Sequence, residues 1–209
     1  MEELLQAAGI AVVALFPVID PIGGTPWFAV ATRDLDPRAR RSEAFRGAWI
    51  AAVILILFLF AGSFVLDFFG VSLPAVEFVG GLVIGWVGWQ MLMESPSQEL
   101  DQADGPAGRD ISLTPLAFPL LAGPGALAIV LGLSNRHDSA ADYIGFSLGI
   151  LVVLAITFAI LTRAGELIAR IGPRGIDVIN GILGLIVLAI AAELVFHGIS
   201  DYFGLTIVE

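Results

Sequence analysis

The segment FPVIDPIGGTP at residues 16–26 places three prolines and two glycines inside a hydrophobic stretch. A second segment, FPLLAGPG at residues 118–125, has the same character in the other half of the chain. Proline and glycine at this density interrupt an α-helix, because proline lacks the amide donor and glycine costs conformational entropy. Irregular backbone at membrane depth occurs only inside protein or beside a watery cavity. Matched breaks of this kind predict the binding site of a secondary transporter.

The composition around these breaks indicates an integral membrane protein. Of the 209 residues, 57% are hydrophobic and only 14% are charged, whereas soluble domains have about a quarter charged residues. A spanning helix needs about 20 mostly apolar residues. The stretches that meet this requirement are 4–31, 47–69, 74–93, 113–133, 143–162 and 176–196. We therefore predict an all-α, polytopic membrane protein with six transmembrane helices.

The two halves of the chain predict an inverted repeat. The Phe-Pro pair at 16–17 aligns with the pair at 118–119, an offset of 102, and residues 77–82 align with 177–182 at an offset of 100. Each half then has a broken first helix, a long apolar helix and a third helix that begins with an acid. Because three is an odd number of spans, the second half is inverted in the membrane. The predicted division is a first three-helix repeat at 1–93, an acidic cytoplasmic linker at 94–110 and a second three-helix repeat at 111–209.

The basic residues predict the orientation in the membrane. All ten are arginines. With the N-terminus outside, the inner loops hold Arg33, Arg38, Arg40, Arg41, Arg46, Arg109, Arg163, Arg170 and Arg174, and only Arg136 lies outside. Cytoplasmic loops carry an excess of positive charge. We therefore predict a multi-pass protein of the cell (inner or cytoplasmic) membrane with both termini outside.

Several functional classes are disfavoured by the residues present. The net charge of −10 argues against a nucleic-acid partner. Cysteine is absent, and neither of the two histidines belongs to an HExxH pattern. The sequence also lacks the ATP-binding motif GxxxxGK[ST]. We expect no catalytic residues, no metal and no cofactor, so an enzyme is not predicted.

The two breaks hold the candidate substrate-binding residues. A broken helix frees backbone N–H and C=O groups and exposes helix ends with partial charges, which suit the two charges of a zwitterionic amino acid. Small residues allow close backbone approach and predict a small substrate. The candidates are Asp20, Pro21, Gly23, Gly24, Thr25, Gly123, Pro124 and Gly125. The alternative is that these glycines and prolines only let kinked helices pack closely.

Four polar residues within the spans are further candidates. Asp20 is a carboxylate in a spanning segment, which indicates that it binds a substrate, a proton or an ion. The alternative interpretations are that it caps the following half-helix or lies at the membrane interface. Glu77 and Asp177 begin the third and sixth spans, where acids offset the helix dipole. With Asn180 they are candidates for gating or coupling, and the alternative for Asn180 is a hydrogen bond between helices.

The motifs at residues 20–28 and 119–126 resemble those of the MarC family, also called UPF0056 or MarC/SnatA, which is grouped with the LysE-type exporters. The resemblance covers nearly the whole chain and implies transport of small neutral amino acids such as glycine and alanine. The family takes its name from an association with multiple antibiotic resistance. It more often has Asn-Pro-x-Gly-Asn in the first motif, where this chain has Asp20 and Gly24 at the two Asn positions.

The sequence therefore predicts a secondary transporter that works by alternating access, with a small-molecule substrate, the lipid bilayer as its surroundings and H+ or Na+ as a coupling ion. A homo-oligomer is compatible with this prediction. Two alternatives stay open. One is a channel-like pore, and the other is a non-transporting envelope or membrane-integrity factor associated with drug resistance.

Overall fold

The computed structural model describes residues 2–93, 110–136 and 139–205, and within these ranges all regular secondary structure is helical. The helices are α1 (Glu2–Ile19), α2 (Gly24–Ala31), α3 (Pro37–Phe69), α4 (Leu73–Met93), α5 (Ser112–Leu121), α6 (Pro124–Arg136), α7 (Ala140–Thr162), α8 (Ala164–Ile171) and α9 (Pro173–Phe203). The predicted all-α class is confirmed. The predicted linker at 94–110 lies outside the described residues except for Asp110.

The spans agree with the sequence prediction in number and place. Five helices, α1, α3, α4, α7 and α9, are each long and apolar enough to cross a membrane. Helices α5 and α6 together form a sixth, broken span that bends by 57°. Large apolar side chains such as Phe64, Phe68 and Trp86 are exposed on the outer surface of the bundle. In a multi-pass protein such side chains contact the lipid, whereas a soluble protein rarely exposes a large apolar surface to water.

Helix α3 begins ten residues before the predicted span at residue 47. Asp36 caps it, because the backbone amides of Arg38 and Ala39 donate to its carboxylate at 2.8 and 2.9 Å, and Pro37 occupies the first helical position. Gly70, at φ 66°, ends the helix in the left-handed conformation. A helix of 33 residues is about 50 Å long. Its arginine-rich first turns therefore extend beyond a hydrocarbon core of about 30 Å.

Helix α8 lies in the predicted loop between the fifth and sixth spans, where the sequence did not predict a helix. It carries Leu167, Ile168 and Ile171 against the charged Glu166 and Arg170. With 8 residues it is too short to span a bilayer, and it packs against α2 and α9. An amphipathic helix of this kind lies along a membrane interface.

Helices α4 and α9 form the closest pair in the bundle, and they run antiparallel. A Cβ added to Gly81 would lie 2.8 Å from the carbonyl oxygen of Ala191, and one added to Gly184 would lie 3.1 Å from that of Gly88. Glycine lets the two backbones approach to this distance, as is common where membrane helices pack. The α4–α9 pair therefore has backbone against backbone over several turns.

Two parallel pairs complete the bundle. In the first, Gly145 of α7 packs on Ala7 of α1, and Gly149 packs one turn further along both helices on Ala11. In the second, α3 lies along the broken α5–α6 span, with Gly47 against Leu116 and Gly62 against Leu131. The long second helix of each half, α3 or α7, thus lies beside the first, broken helix of the other half.

A polar cluster ties the start of the second half to α3. The amide of Ile111 donates to Oε2 of Glu43 at 3.1 Å, and Nη2 of Arg46 lies 3.0 Å from Oδ2 of Asp110. The amide and hydroxyl of Ser112 both donate to Oδ1 of Asp110, at 3.0 and 2.5 Å. These contacts hold α5 at one end of α3.

The carboxyl of Asp110 should make the stability of the protein depend on pH. The hydrogen bonds from Ser112, with a smaller effect of Arg46, hold the pKa of Asp110 below its usual 3.8. A lowered carboxyl pKa stabilises the fold above the unfolded value, and this contribution is lost as the pH falls through the folded value. We expect Asp110→Asn to lower the Tm at neutral pH, and to have little effect under acid conditions where Asp110 is already protonated.

The measurement is thermal unfolding of the purified protein in detergent over a pH series. Asp67→Asn, on the exposed far end of α3, is the matched control for loss of one carboxylate. An Asp110→Asn effect of equal size at neutral and acid pH would show that the carboxylate charge does not stabilise this cluster.

Candidate functional site

The first break separates α1 from α2 at residues 20–23. Asp20 has φ 45°, in the left-handed region that aspartate tolerates better than most non-glycine residues. Pro21 follows, and because it has no amide hydrogen it cannot continue the hydrogen bonding of α1. The amide of Gly24 donates to the carbonyl of Asp20 at 3.1 Å and α2 begins at that glycine. The predicted break is confirmed within the segment 16–26.

The Asp20 side chain folds back over the turn that it begins. The amide of Gly23 donates to its Oδ1 at 3.0 Å, so the capping alternative is realised with one carboxylate oxygen. The second oxygen, Oδ2, lies against the α-carbon of Gly23, because a Cβ added there would be only 2.0 Å from it. The carboxylate thus has one oxygen on the local backbone and one directed at its neighbours.

Asn180 of α9 meets Asp20 at the same glycine. Its Oδ1 would lie 2.3 Å from the Cβ added to Gly23. The two side-chain oxygens are therefore no more than about 4.3 Å apart, because these separations of 2.0 and 2.3 Å share one end point. The Asn180 Nδ2 donates to the carbonyl of Met91 at 3.0 Å, which sets the direction of the amide. The predicted hydrogen bond between helices is confirmed, and it turns the amide oxygen toward Asp20.

The remaining candidates in the first break have local roles. Pro21 and Thr25 are buried. The hydroxyl of Thr25 donates to the carbonyl of Ile22 at 2.6 Å, which closes the turn. Gly24 differs from Gly23, because a Cβ added to it would meet nothing within 4 Å. Space next to the break is therefore open on the side of Gly24.

The second break lies between α5 and α6. Thr114 and Phe118 interrupt α5 with extended backbone angles, as expected for residues that precede proline. Helix α5 ends at Leu121 and α6 begins at the exposed Pro124. Gly123 packs on the carbonyl of its own segment, with an added Cβ 2.4 Å from the Pro119 oxygen. The predicted break is confirmed within residues 118–125.

The two breaks lie next to each other in the bundle. A Cβ added to Gly125 would lie 2.5 Å from the Ile84 side chain of α4 and 3.3 Å from the Val18 side chain of α1. Val18 is two residues before Asp20, so the start of α6 contacts the end of α1 at the first break. Neither Val18 nor Ile84 was predicted, because an apolar residue in a spanning helix gives no sequence signal for such a contact.

The two acidic gating candidates, Glu77 and Asp177, lie deeper in their helices than predicted. Helix α4 starts at Leu73 and α9 at Pro173, so Glu77 and Asp177 each lie one turn inside the helix and do not begin it. The prediction of a first-turn dipole contact is wrong for both, because that interaction fades beyond the first turn. Glu77 is completely buried and faces α6, with its Oε1 3.3 Å from a Cβ added to Gly132. Asp177 is partly exposed.

A separate groove of about 560 Å³ runs between α1 and α9. Its lining residues are Gly9, Ile10, Val13, Ala14, Ile186 and Ile190. All are apolar, so the groove has no side chain that could pair with a charged solute.

Apolar helices that cross the membrane, with two breaks meeting inside the bundle, define a polytopic α-helical membrane protein. The family model described as "MarC family integral membrane protein" matches residues 5–203. The chain belongs to the MarC family.

Similar proteins come from bacteria and archaea. The chain is 30% identical to the UPF0056 membrane protein YvbG of Bacillus subtilis, over 91% of this chain and 93% of the relative. It is 30% identical to the UPF0056 inner membrane protein YhgN of Escherichia coli K12, over 95% and 97%. It is 31% identical to the UPF0056 membrane protein MJ1677 of Methanocaldococcus jannaschii, over 93% and 97%. No solved structure matches the chain.

Two neighbouring glycines provide a matched test of the first break. Gly23→Ala should disrupt it, because the new methyl group would overlap both Asp20 Oδ2 and Asn180 Oδ1; overpacking of this kind costs about 1–3 kcal/mol. Gly24→Ala should be neutral or stabilising by up to ~1 kcal/mol, because alanine restricts the unfolded chain. The measurement is the Tm of each purified variant in the same detergent. Equal shifts for the two variants would contradict the close contact at Gly23.

Proposed function

We propose that this chain is a secondary transporter of small solutes, and that its substrates are small neutral amino acids such as glycine and alanine. The solute binds between the two broken segments and crosses by alternating access. The substrate class comes from the resemblance of the motifs at residues 20–28 and 119–126 to the MarC/SnatA pattern. The transport mechanism is supported by the arrangement of the breaks.

The observation that carries the proposal is the meeting of the two breaks, the first of which contains a carboxylate. Gly125 contacts Val18 at the end of α1, and Asp20 follows two residues later with one carboxylate oxygen free of the Gly23 amide. A charged side chain in a spanning segment is costly and by default has a functional role. Broken helices with small residues at bundle centres are typical of transporter binding sites.

Each break offers groups for one end of a zwitterion. Helix α6 begins at Pro124, so the amides of residues 125–126 lie at a helix N-terminus, which favours a carboxylate. In the first break the amides of Gly24 and Thr25 donate to the carbonyls of Asp20 and Ile22, so this break contributes the Asp20 side chain. The ammonium group of the same molecule pairs with the carboxylate of Asp20. Glycine and alanine have little beyond these two charges, and the small residues of both breaks suit such a molecule.

Helix packing supports the inverted repeat that alternating access would use. Gly81 meets the Ala191 carbonyl in the same way as Gly184 meets the Gly88 carbonyl. These contacts are related by an offset of 103 along the chain. The two parallel pairs correspond in the same way: α1 packed on α7 in one pair matches α5–α6 packed on α3 in the other. Two halves related in this way can present one site to either side of the membrane.

The offset of 103 also relates two buried polar residues. It pairs Glu77 with Asn180, in place of the pairing of Glu77 with Asp177 in the sequence alignment. Glu77 of the first half faces Gly132 in the broken span of the second, and Asn180 of the second half faces Gly23 in the broken span of the first. This exchange supports a role for Glu77 and Asn180 in gating or coupling between the halves.

Transport should be visible as counterflow in proteoliposomes. Vesicles loaded with unlabelled glycine should take up labelled glycine or alanine with saturation, and Asp20→Asn should lower the exchange rate at least tenfold because the ammonium loses its ionic partner. Asn tolerates the left-handed conformation and keeps an oxygen for the Gly23 amide, so the break stays intact. Asp67→Asn is the control. No exchange by correctly folded protein would exclude these substrates, and flux without counterflow would indicate a pore.

The name of the YhgN relative includes "inner membrane", and we propose a cytoplasmic-membrane location with both termini outside. The absence of native cysteine makes this orientation directly testable. In intact cells, an impermeant maleimide should label Ser72→Cys, whereas Asp34→Cys should react only after permeabilisation. Both positions are exposed ends of connections between spans, so the reverse labelling pattern would overturn the proposed orientation.

A further inference from the structure

Asp20 Oδ2 and Asn180 Oδ1 are both hydrogen-bond acceptors when the carboxyl is ionised. They face each other across Gly23 within about 4.3 Å, as the two separations from one added Cβ require. Two acceptors at this distance repel unless a positive charge or a donor lies between them. Their arrangement therefore indicates a third component.

The Asn180 amide cannot supply that donor by turning over. Its Nδ2 already donates to the Met91 carbonyl at 3.0 Å, and reversal would place Oδ1 against that carbonyl. The side chain is only 2% exposed, and within the described residues its Oδ1 has no hydrogen-bond donor. A buried amide oxygen without a donor is costly, so it requires an occupant.

Resting on the proposed function, we infer that Asp20 and Asn180 form a proton-binding pair, in which protonated Asp20 donates its O–H to Asn180 Oδ1, and that substrate ammonium and proton compete for Asp20. A protonated carboxyl has one O–H donor, so a single proton satisfies both oxygens. When the ammonium of the solute pairs with Asp20, the proton leaves to water. One carboxylate cannot hold both cations, so binding of one solute molecule releases one proton.

A proton suits this pair better than a metal cation does. Hard cations take six or more oxygen ligands, whereas two side-chain oxygens converge at Gly23. The described ranges also contain no group of three or more histidine or acidic side chains arranged to hold a metal ion.

The elements around Asp20 carry acids, which favour its protonated form, and arginines, which favour its ionised form. Asp177 lies three residues before Asn180 on α9, and its negative charge favours the neutral form of a nearby acid. Glu77 of α4 is directed at Gly132 of α6. Helix α8, which packs on α2, has exposed charges, as does the end of α7 beside it. They are Arg163, Glu166 and Arg170.

The test is infrared difference spectroscopy of the full-length protein in lipid as the pH is changed. We expect a carbonyl band of a protonated carboxylic acid that is lost in Asp20→Asn, shifted in Asn180→Leu and unchanged in the control Asp67→Asn. If Asn180→Leu does not fold, Asp20→Asn alone decides the assignment. A band that persists in Asp20→Asn would overturn the inference. So would a native band that disappears on addition of Na+ at constant pH, because that would indicate a sodium site.

A second measurement separates this inference from the proposed function. Addition of glycine or alanine to weakly buffered protein with a pH indicator should release about one proton per bound molecule, and Asp20→Asn should release none. An Asp20 band without any solute binding would support the proton pair and exclude the proposed substrates. Saturable counterflow without proton release would support the transporter and overturn the competition at Asp20.

Discussion

The structure depends on one constraint of the bilayer, which is that every backbone polar group must find its partner inside the protein. The break within the α5–α6 span and the break between α1 and α2 free several N–H and C=O groups, so both have to be surrounded by other helices. Helices α3 and α7 each lie along the broken span of the other half. Helix α4 contacts the second break through Ile84, and its Met91 carbonyl holds Asn180, which faces the first break. Glycines at these contacts bring the helices close enough to enclose the irregular backbone. The close packing of the helices therefore follows from the need to enclose the two breaks.

Much of this arrangement could be predicted from local sequence, because proline, glycine and hydrophobic length act over a few residues. The breaks near Asp20 and Gly123 and the six spans are of this kind. The meeting of Asp20 with Asn180 could not be predicted, since it depends on the rotation of α9 about its own axis and on a partner 160 positions away. The burial of Glu77 against α6 could not be predicted either, because it also depends on how two distant helices are rotated toward each other. The amphipathic α8 was missed because its 8 residues are too few for a clear pattern among arginines.

The acid at position 20 distinguishes this chain within the pattern that its motif resembles. An asparagine there would offer the same oxygen to the Gly23 amide and adopt the same left-handed backbone. The break itself therefore does not need a carboxylate, and the charge of Asp20 is an addition to a conformation that an amide could also maintain. A buried carboxylate charge is costly without a partner, and Asn180 Oδ1 is the second side-chain oxygen next to Gly23.

The contact between α4 and α9 has a mechanical consequence. Where large side chains interlock, one helix can move past another only by jumping between discrete positions. At Gly81 and Gly88 of α4, the side chains of Val195 and Leu188 lie 2.7 and 3.0 Å from the added Cβ atoms. At Gly184 of α9, the Met91 side chain lies 2.8 Å from the added Cβ. The side chains of each helix thus fill the spaces that glycine leaves on the other, and sliding would push them into the opposite backbone. We therefore expect α4 and α9 to move as one unit in any change of shape, with the displacements at other helix contacts.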